Sequence, residues 1–202
     1  MDKTWYKKAI RKHESKLSAL LIAASKVGFI GKISLASLVD HTAGFVLIPS
    51  WMGKHNITRV LDIGSGAGIP ALAMALLWPN AEFTLIERSQ KRAAFLTNQI
   101  YELGVAGQCK VLCDDAFKLV NNEQFSCMFD YVTARLFAKP ELYIKTASYF
   151  CKLGGIATCS ISKEVWDLRS SSEMPKPEFM SIPQFFSYQN YYFMALERTK
   201  AC

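Results

Sequence analysis

The chain has 202 residues, half of them hydrophobic and a fifth charged, a composition that accommodates one buried core and excludes a low-complexity or disordered protein. No run approaches the roughly 20 apolar residues of a membrane span. Six cysteines without a C-x-x-C pair argue against a zinc site or a disulfide framework and for buried, reduced thiols.

The net charge of +7 is unevenly placed. Residues 1–60 carry ten Lys or Arg against three acids, whereas residues 61–202 are balanced, so a basic segment precedes a neutral body and points to a polyanionic partner gripped from that side. From Trp5 to Lys26 the pattern is helical, with Ile10, Leu17, Leu20, Leu21 and Ala24 at three- and four-residue spacing. Lys7, Lys8, Arg11, Lys12 and Lys16 before the apolar run Leu17 to Ala24 mimic a secretory signal. That run is short and holds Ser18, and Glu14 interrupts the basic stretch, so an amphipathic helix of a cytoplasmic protein is expected. Gly28 and Gly31 end it, and a second helix is expected from its N-cap Ser34 to Phe45, with His41 inside as a structural residue.

The strand-like run Ile57 to Ile63 meets glycines 64, 66 and 68, and Pro70 then opens an alanine- and leucine-rich helix to Trp78. Proline suits a first helical turn because its missing N–H has no intrahelical partner to lose, and the glycines let a ligand approach bare backbone. A dinucleotide fingerprint, G-x-G-x-x-G, would need its third glycine where Ile69 stands. The G-x-G-x-G turn behind a strand ending in Asp62 instead resembles motif I of class I methyltransferases, which bind S-adenosylmethionine, a ligand without a pyrophosphate. The next strand, Ala81 to Glu87, ends in an acid 19 residues after Gly68, placed to accept the ribose hydroxyls of an adenosine.

Ser89 can cap a helix from Gln90 to Leu103, which Gly104 ends. Cys109 to Cys113 is a third strand stopping at Asp114-Asp115-Ala116, where an acid can meet the adenine edge or cap a helix from Phe117 to Val120. Phe125 to Thr133 is a fourth strand delivering Arg135 to its end. A helix from Lys139-Pro140 to Phe150 follows, and Lys152 to Gly155 turns the chain into a fifth strand, Ile156 to Ser162, with Lys163 at its end. Ser170 to Ser172, Pro175 and Pro177 mark a loop, and Phe179 to Ile182 with Tyr188 to Leu196 form a closing antiparallel pair. The alternation implies a doubly wound, mostly parallel α/β sheet with helices on both faces and a ligand crevice at the carboxyl strand ends, where Gly64, Glu87, Asp115, Arg135 and Lys163 all fall.

Two local signatures narrow the chemistry. Amino-group nucleic-acid methyltransferases resemble one another in a D/N-P-P-Y/F turn after strand four, where this chain has Thr133-Ala134-Arg135-Leu136. Thr158-Cys159-Ser160 looks like the T-C-S of RNA cytosine-C5 methyltransferases, but the P-C that family places after strand four is lacking.

The strings L-D-I-G-S-G-A-G-I-P (61–70), F-T-L-I-E-R-S-Q-K-R-A-A-F-L (83–96) and F-D-Y-V-T-A-R-L-F-A (129–138), with Lys163, resemble the GidB family of small-subunit ribosomal RNA guanine-N7 methyltransferases. The similarity covers roughly residues 35–165, and Lys91-Arg92-x-x-Phe95-Leu96 and Arg135-x-Phe137-Ala138 are its more specific parts. The resemblance implies a Rossmann-like class I methyltransferase fold, with a basic helical extension at 1–50 and a cofactor domain at 51–202 forming one compact unit. By position the family's cofactor contacts fall on Gly64, Ile69, the Asp115-Ala116 pair and Arg135. With Asp62, Ser65, Gly66, Gly68, Glu87 and Arg88 of the two turns, these make the expected S-adenosylmethionine site. The chain departs from the family where an acid usually replaces Ala116 and where a D-S usually follows the histidine matching His41; Thr42-Ala43-Gly44 stands there instead.

The implied partner is ribosomal RNA or the 30S subunit, without metal or membrane, for a monomer. Guanine N7 carries an in-plane lone pair, so attack on a methyl needs alignment and no deprotonation. Arg135 and Lys163 are the expected catalytic residues, gripping the O6 side of the base or a phosphate. A methyltransferase for a small molecule or protein, and an RNA- or ribosome-binding module without catalysis, are the alternatives.

Overall fold

The computed structural model describes residues 5–120, 122–169 and 178–201. The elements run α1 (Trp5–Arg11), α2 (Glu14–Lys26), α3 (Leu35–Trp51), β1 (Arg59–Ile63), α4 (Ala71–Leu77), β2 (Glu82–Ile86), α5 (Gln90–Leu103), β3 (Cys109–Leu112), α6 (Ala116–Leu119), β4 (Phe129–Arg135), α7 (Pro140–Phe150), β5 (Cys151–Ile161), α8 (Lys163–Asp167), β6 (Gln184–Tyr188) and β7 (Tyr191–Glu197). The strands form one sheet in the order β3-β2-β1-β4-β5-β7-β6. It is parallel from β3 to β5 and antiparallel where β7 inserts between β5 and β6. This is the doubly wound sheet with a closing hairpin that the alternation of elements implies.

Successive residues of a strand point to opposite faces, and the two faces carry separate cores. Val60, Phe83, Tyr131, Ile156 and Phe193 share one with α1 to α5. Leu61, Ile63, Val132, Ala134, Ala157 and Met194 share the other with α6 and α7. Tyr6, Ile10, Leu17 and Leu20 of the basic segment belong to the first core, beside Phe83 and Tyr131. Burial of each such leucine contributes about 1.5–3 kcal/mol, so α1 and α2 are held to the sheet by their apolar stripe. Lys7, Lys8, Arg11, Lys12 and Lys16 stay exposed.

Several boundaries differ from the sequence reading. The first helix is two, α1 and α2, parted at Lys12-His13. α3 continues past Phe45 to Trp51, because Thr42 to Pro49 is buried all round and carries no polar face to mark an end. Pro49 lies inside this helix and has no N–H for the carbonyl of Phe45. The Tyr131 hydroxyl of β4 donates to that oxygen instead, at 2.9 Å, fastening α3 to the sheet.

β4 starts only at Phe129, because Glu123–Phe125 forms a 3-10 turn. β5 starts early, at Cys151, and contains the Gly154-Gly155 pair read as a turn. A side chain on Gly155 would stand 2.9 Å from the Phe129 carbonyl oxygen, so the glycine permits the irregular β4–β5 pairing. β6 lies at Gln184–Tyr188 rather than Phe179 to Ile182, from which Met180 contributes only an isolated bridge to Arg198. The expected loop at 170–177 lies outside the described residues. Cys109, Cys151 and Cys159 are buried free thiols, but Cys127 is disulfide-bonded, against the expectation of reduced thiols throughout. A bridge joins residues close in space, which the spacing of cysteines along a chain does not reveal.

Gly44 in the middle of α3 has a packing reason. A Cβ there would lie 2.1 Å from the Phe193 ring, which fills the notch the glycine leaves. Gly44→Ala is expected to destabilise the fold by about 1–3 kcal/mol despite alanine's better helix propensity. Urea denaturation measures this, and a stabilised variant would contradict the packing.

Candidate functional site

Ile63 pairs with Ile86 on one side and Ala134 on the other, so β1, β2 and β4 end level and the turns that follow them converge. The winding reverses between β1 and β4, the position at which open α/β sheets bind ligands. Gly64 and Ser65 both donate backbone N–H groups to the Ile86 carbonyl, at 2.9 and 3.0 Å. The buried Glu87 carboxylate then clamps two turns together, Oε2 accepting from Gly66 N at 2.9 Å and Oε1 from Ser89 N at 2.8 Å. Each oxygen keeps a lone-pair direction for a ligand hydroxyl. Gly64 and Gly68 both have positive φ. A side chain on Gly64 would meet the Phe137 ring at 2.8 Å, and one on Gly68 would meet Leu72 at 2.4 Å, so Gly68 serves the packing of α4 rather than a ligand.

Over these turns lies a first cavity of about 210 Å³. Of the expected residues it is lined by Gly64, Glu87, Arg88, Asp115 and Ala116. Asp115 also caps α6, accepting from Phe117 N at 2.9 Å. Sequence reasoning did not single out Arg92, Asp114, Phe117, Leu136 and Phe137 as lining residues. Arg92 and Phe137 lie in the strings that carried the family resemblance, which was their available signal. The rings of Phe117 and Phe137 stand 5.1 Å apart. Asp62, Ser65, Gly66 and Gly68 are not among its lining residues.

Ile69 and Arg135 line a second cavity of about 350 Å³, bounded by α3, the ends of β4 and β5, and the β6–β7 hairpin. His41, Ser160, Lys163, Tyr191 and Tyr192 also face it. His41, expected as a structural residue, borders this cavity from α3; a lone histidine in an apolar helix carries no signal of what the helix will cover. Leu136 lines both cavities, its φ at 53° and the residue 83% exposed. Few non-glycine residues adopt the left-handed region, and this one borders both spaces.

Polar groups on this face of the sheet are buried. Asp62 accepts from Thr133 Oγ1 at 2.7 Å. Burial pushes its pKa up to about 6, against the pull of Thr133 and the Arg135 guanidinium. Burial, reinforced by Arg135, pushes His41 down to about 3 and leaves it neutral. Burial lowers Arg135 too, with Asp62 opposing the shift. His41 Nδ1 and Ser160 Oγ are buried without a hydrogen-bond partner among the described residues. Lys163 opens α8, is exposed and pairs with Asp167, whose hydrogen bond raises its pKa. Cys159 points into the opposite core, where burial raises its pKa, so Thr158-Cys159-Ser160 offers no thiolate to this site. Among the described residues no group of three or more His, Cys, Asp or Glu is placed to hold a metal ion.

Sheet order, glycine turn and strand-end acid together define a Rossmann-like class I methyltransferase fold. Solved structures agree: the O-methyltransferase TomG from Streptomyces achromogenes in complex with SAM is 15% identical with a TM-score of 0.64, covering 92% of this chain and 90% of that one. Cofactor-bound Rv0187 from MTB is 18% identical with a TM-score of 0.67, covering 92% and 91%.

The family model for GidB, rRNA small subunit methyltransferase G, matches residues 14–163, and the chain belongs to that family. Ribosomal RNA small subunit methyltransferase G of Streptococcus thermophilus (strain CNRZ 1066) is 31% identical over 152 residues, 69% of this chain and 64% of the relative. The protein of the same name from Streptococcus pyogenes serotype M49 is 38% identical over 97 residues, 48% of this chain and 40% of the relative. The matches thus span less than two thirds of these relatives' length.

A neutral buried histidine makes folding sensitive to acid. Below its unfolded pKa of about 6.5 the unfolded state takes up a proton that the folded His41 refuses until about 3, so stability falls as pH drops through that window. His41→Gln should remove this loss and gain about 2 kcal/mol relative to wild type between pH 7 and pH 5. Asp62 titrates in both proteins and cancels in the comparison. Parallel urea curves at the two pH values measure the difference, and an unchanged gap would refute a neutral buried His41.

Proposed function

We propose that the chain is an S-adenosylmethionine-dependent methyltransferase acting on N7 of a guanine in small-subunit ribosomal RNA. The observation that carries this reading is a pair of cavities that share Leu136 as a lining residue, one with a nucleoside's complement of groups and the other without a usable base. Gly64 presents a backbone that a side chain would block, Glu87 has acceptor capacity for two hydroxyls, and Asp115-Ala116 borders the same space, so the residues present fit the cofactor. When bound, S-adenosylmethionine supplies an electrophilic methyl group and leaves as S-adenosylhomocysteine.

In the second cavity His41, with its pKa near 3, takes up no proton at neutral pH, and Asp62 is tied to Thr133. That suits an acceptor whose lone pair is already free, as at guanine N7, and not an alcohol or amine that must lose a proton. Arg135, Ser160 and neutral His41 offer hydrogen bonds to orient such a base, and Tyr191 and Tyr192 wall it from water. Asp62 would contribute negative charge near the bound cation. The exposed cations of α1 and α2 contact phosphate, making binding salt-sensitive.

No helix among the described residues is long and apolar enough to cross a membrane. The reading makes the protein a cytoplasmic monomer acting on rRNA, either free or within the 30S subunit.

Purified protein with labelled S-adenosylmethionine and undermethylated 30S subunits should yield 7-methylguanosine on nuclease digestion. A labelled nucleoside of another kind, or label in protein alone, would overturn the substrate. Glu87→Gln leaves one of the two backbone N–H groups facing an amide donor and should weaken S-adenosylmethionine binding about 10- to 100-fold by calorimetry. Unchanged affinity would remove Glu87 from the site.

A further inference from the structure

At the edge of the second cavity, α8 and β7 build an arrangement that extends from Lys163 and Tyr192 to residues the proposed reaction does not use, Trp166 and Arg169. The rings of Trp166 and Tyr192 lie 4.8 Å apart and 33° from parallel. The guanidinium of Arg169 lies 4.4 Å from the centre of the Trp166 ring, and Lys163 Nζ lies 5.8 Å from that of Tyr192. Lys163 and Tyr192 border the second cavity, so the series Lys163, Tyr192, Trp166, Arg169 leads from its mouth outward along the surface.

The group is built in place. Arg169 Nη1 donates to the Trp166 carbonyl at 2.9 Å, and Phe185 of β6 supports the indole edge-on at 6.5 Å. Lys163 is paired with Asp167, but Arg169 forms no ion pair among the described residues and is exposed. Trp166, Arg169 and Tyr192 all lie beyond the residues shared with the family, 14–163.

We infer that the Tyr192–Trp166–Arg169 stack is a binding site for an unpaired nucleotide of the RNA that flanks the acceptor base. This rests on the proposed reading of the second cavity as the acceptor pocket. Aromatic faces interleaved with cations are how proteins hold single-stranded nucleic acid, since every base offers a π-face and every nucleotide a phosphate. A base extends the stack by lying on the outer face of the Arg169 guanidinium or by taking its place on the indole. Lys163 then faces the intervening phosphate. A duplex, whose bases are already stacked, gains nothing here, so the site selects unpaired RNA.

The test titrates an unstructured oligoribonucleotide, and a duplex of the same composition, into the full chain while following tryptophan fluorescence. Single-stranded RNA should quench the wild type. Trp166→Phe should lose that quench yet keep the affinity, and Trp166→Ala should bind the single strand about 5- to 150-fold more weakly. Equal affinity of wild type and Trp166→Ala, or equal quenching by duplex, would overturn the site. If Trp166→Ala no longer binds S-adenosylmethionine it is misfolded, and Arg169→Ala carries the same comparison, with the same expected weakening. Quenching through Trp166 without methyl transfer to any RNA would sink the methyltransferase reading and leave this site standing. Methyl transfer with an unchanged KM for RNA in Trp166→Ala would sink this site alone.

Discussion

The grip of one carboxylate on two turns is the constraint on which the first cavity depends. Glu87 stands at the end of β2 and accepts backbone N–H groups from Gly66 and from Ser89. It thereby fixes the turn after β1 against the N-terminus of α5, whose first hydrogen-bonding needs Ser89 meets through Arg92 N. A buried carboxylate is costly unless its oxygens are satisfied, and here two main-chain donors repay the burial. The acid proposed to hold the ligand is also the acid that shapes the cradle, so the turn is held by hydrogen bonds of the chain itself. Preorganisation of this kind lowers the entropy that binding must otherwise supply.

Electrostatics on the α3 side of the sheet follows from the same economy of solvent. Burial pushes Asp62 toward its neutral form, pushes His41 away from its cationic form and disfavours the charge on Arg135. Asp62 and Arg135 partly offset one another, while Arg135 drives His41 further toward neutrality. The outcome is a second cavity lined by a guanidinium and a neutral imidazole, with the one nearby carboxylate, Asp62, buried against Thr133. Such a lining suits the alignment of the proposed acceptor base.

Much of this was legible in the chain. α5 was readable to the residue, because Ser89 caps it, Gly104 ends it in the left-handed region, and its apolar residues keep one face. The strand-end positions of Gly64, Glu87 and Arg135 were readable too, since β-rich runs with glycine or acid at their ends mark the carboxyl edge of a parallel sheet. What failed to show was everything that depends on burial or on distant partners. α3 is buried all round from Thr42 to Pro49 and lost its period there, β5 hid a bulge behind two glycines, and β6 formed at Gln184–Tyr188, beyond the apolar run Phe179 to Ile182. His41, Phe117 and Leu136 gained their positions only when other elements closed over or beside them.

The two-residue period of a strand explains why the site has the composition it has. Asp62 and Thr133 touch on the α3 side, and Arg135, two residues beyond Thr133, emerges on that side into the second cavity with Ser160 of β5. The intervening Leu61, Ile63, Val132, Ala134, Ala157 and Cys159 all belong to the opposite core. The α3 face of the sheet therefore carries these polar groups, while the opposite core is apolar and reaches the first cavity through Ile86 and Ala116. A shift of one residue in the β1–β4 register would exchange the two sets and bury Arg135 among α6 and α7. The level ending of β1, β2 and β4 is thus a condition of the site as much as of the sheet. It is set by the apolar strand ends Ile63, Ile86 and Ala134.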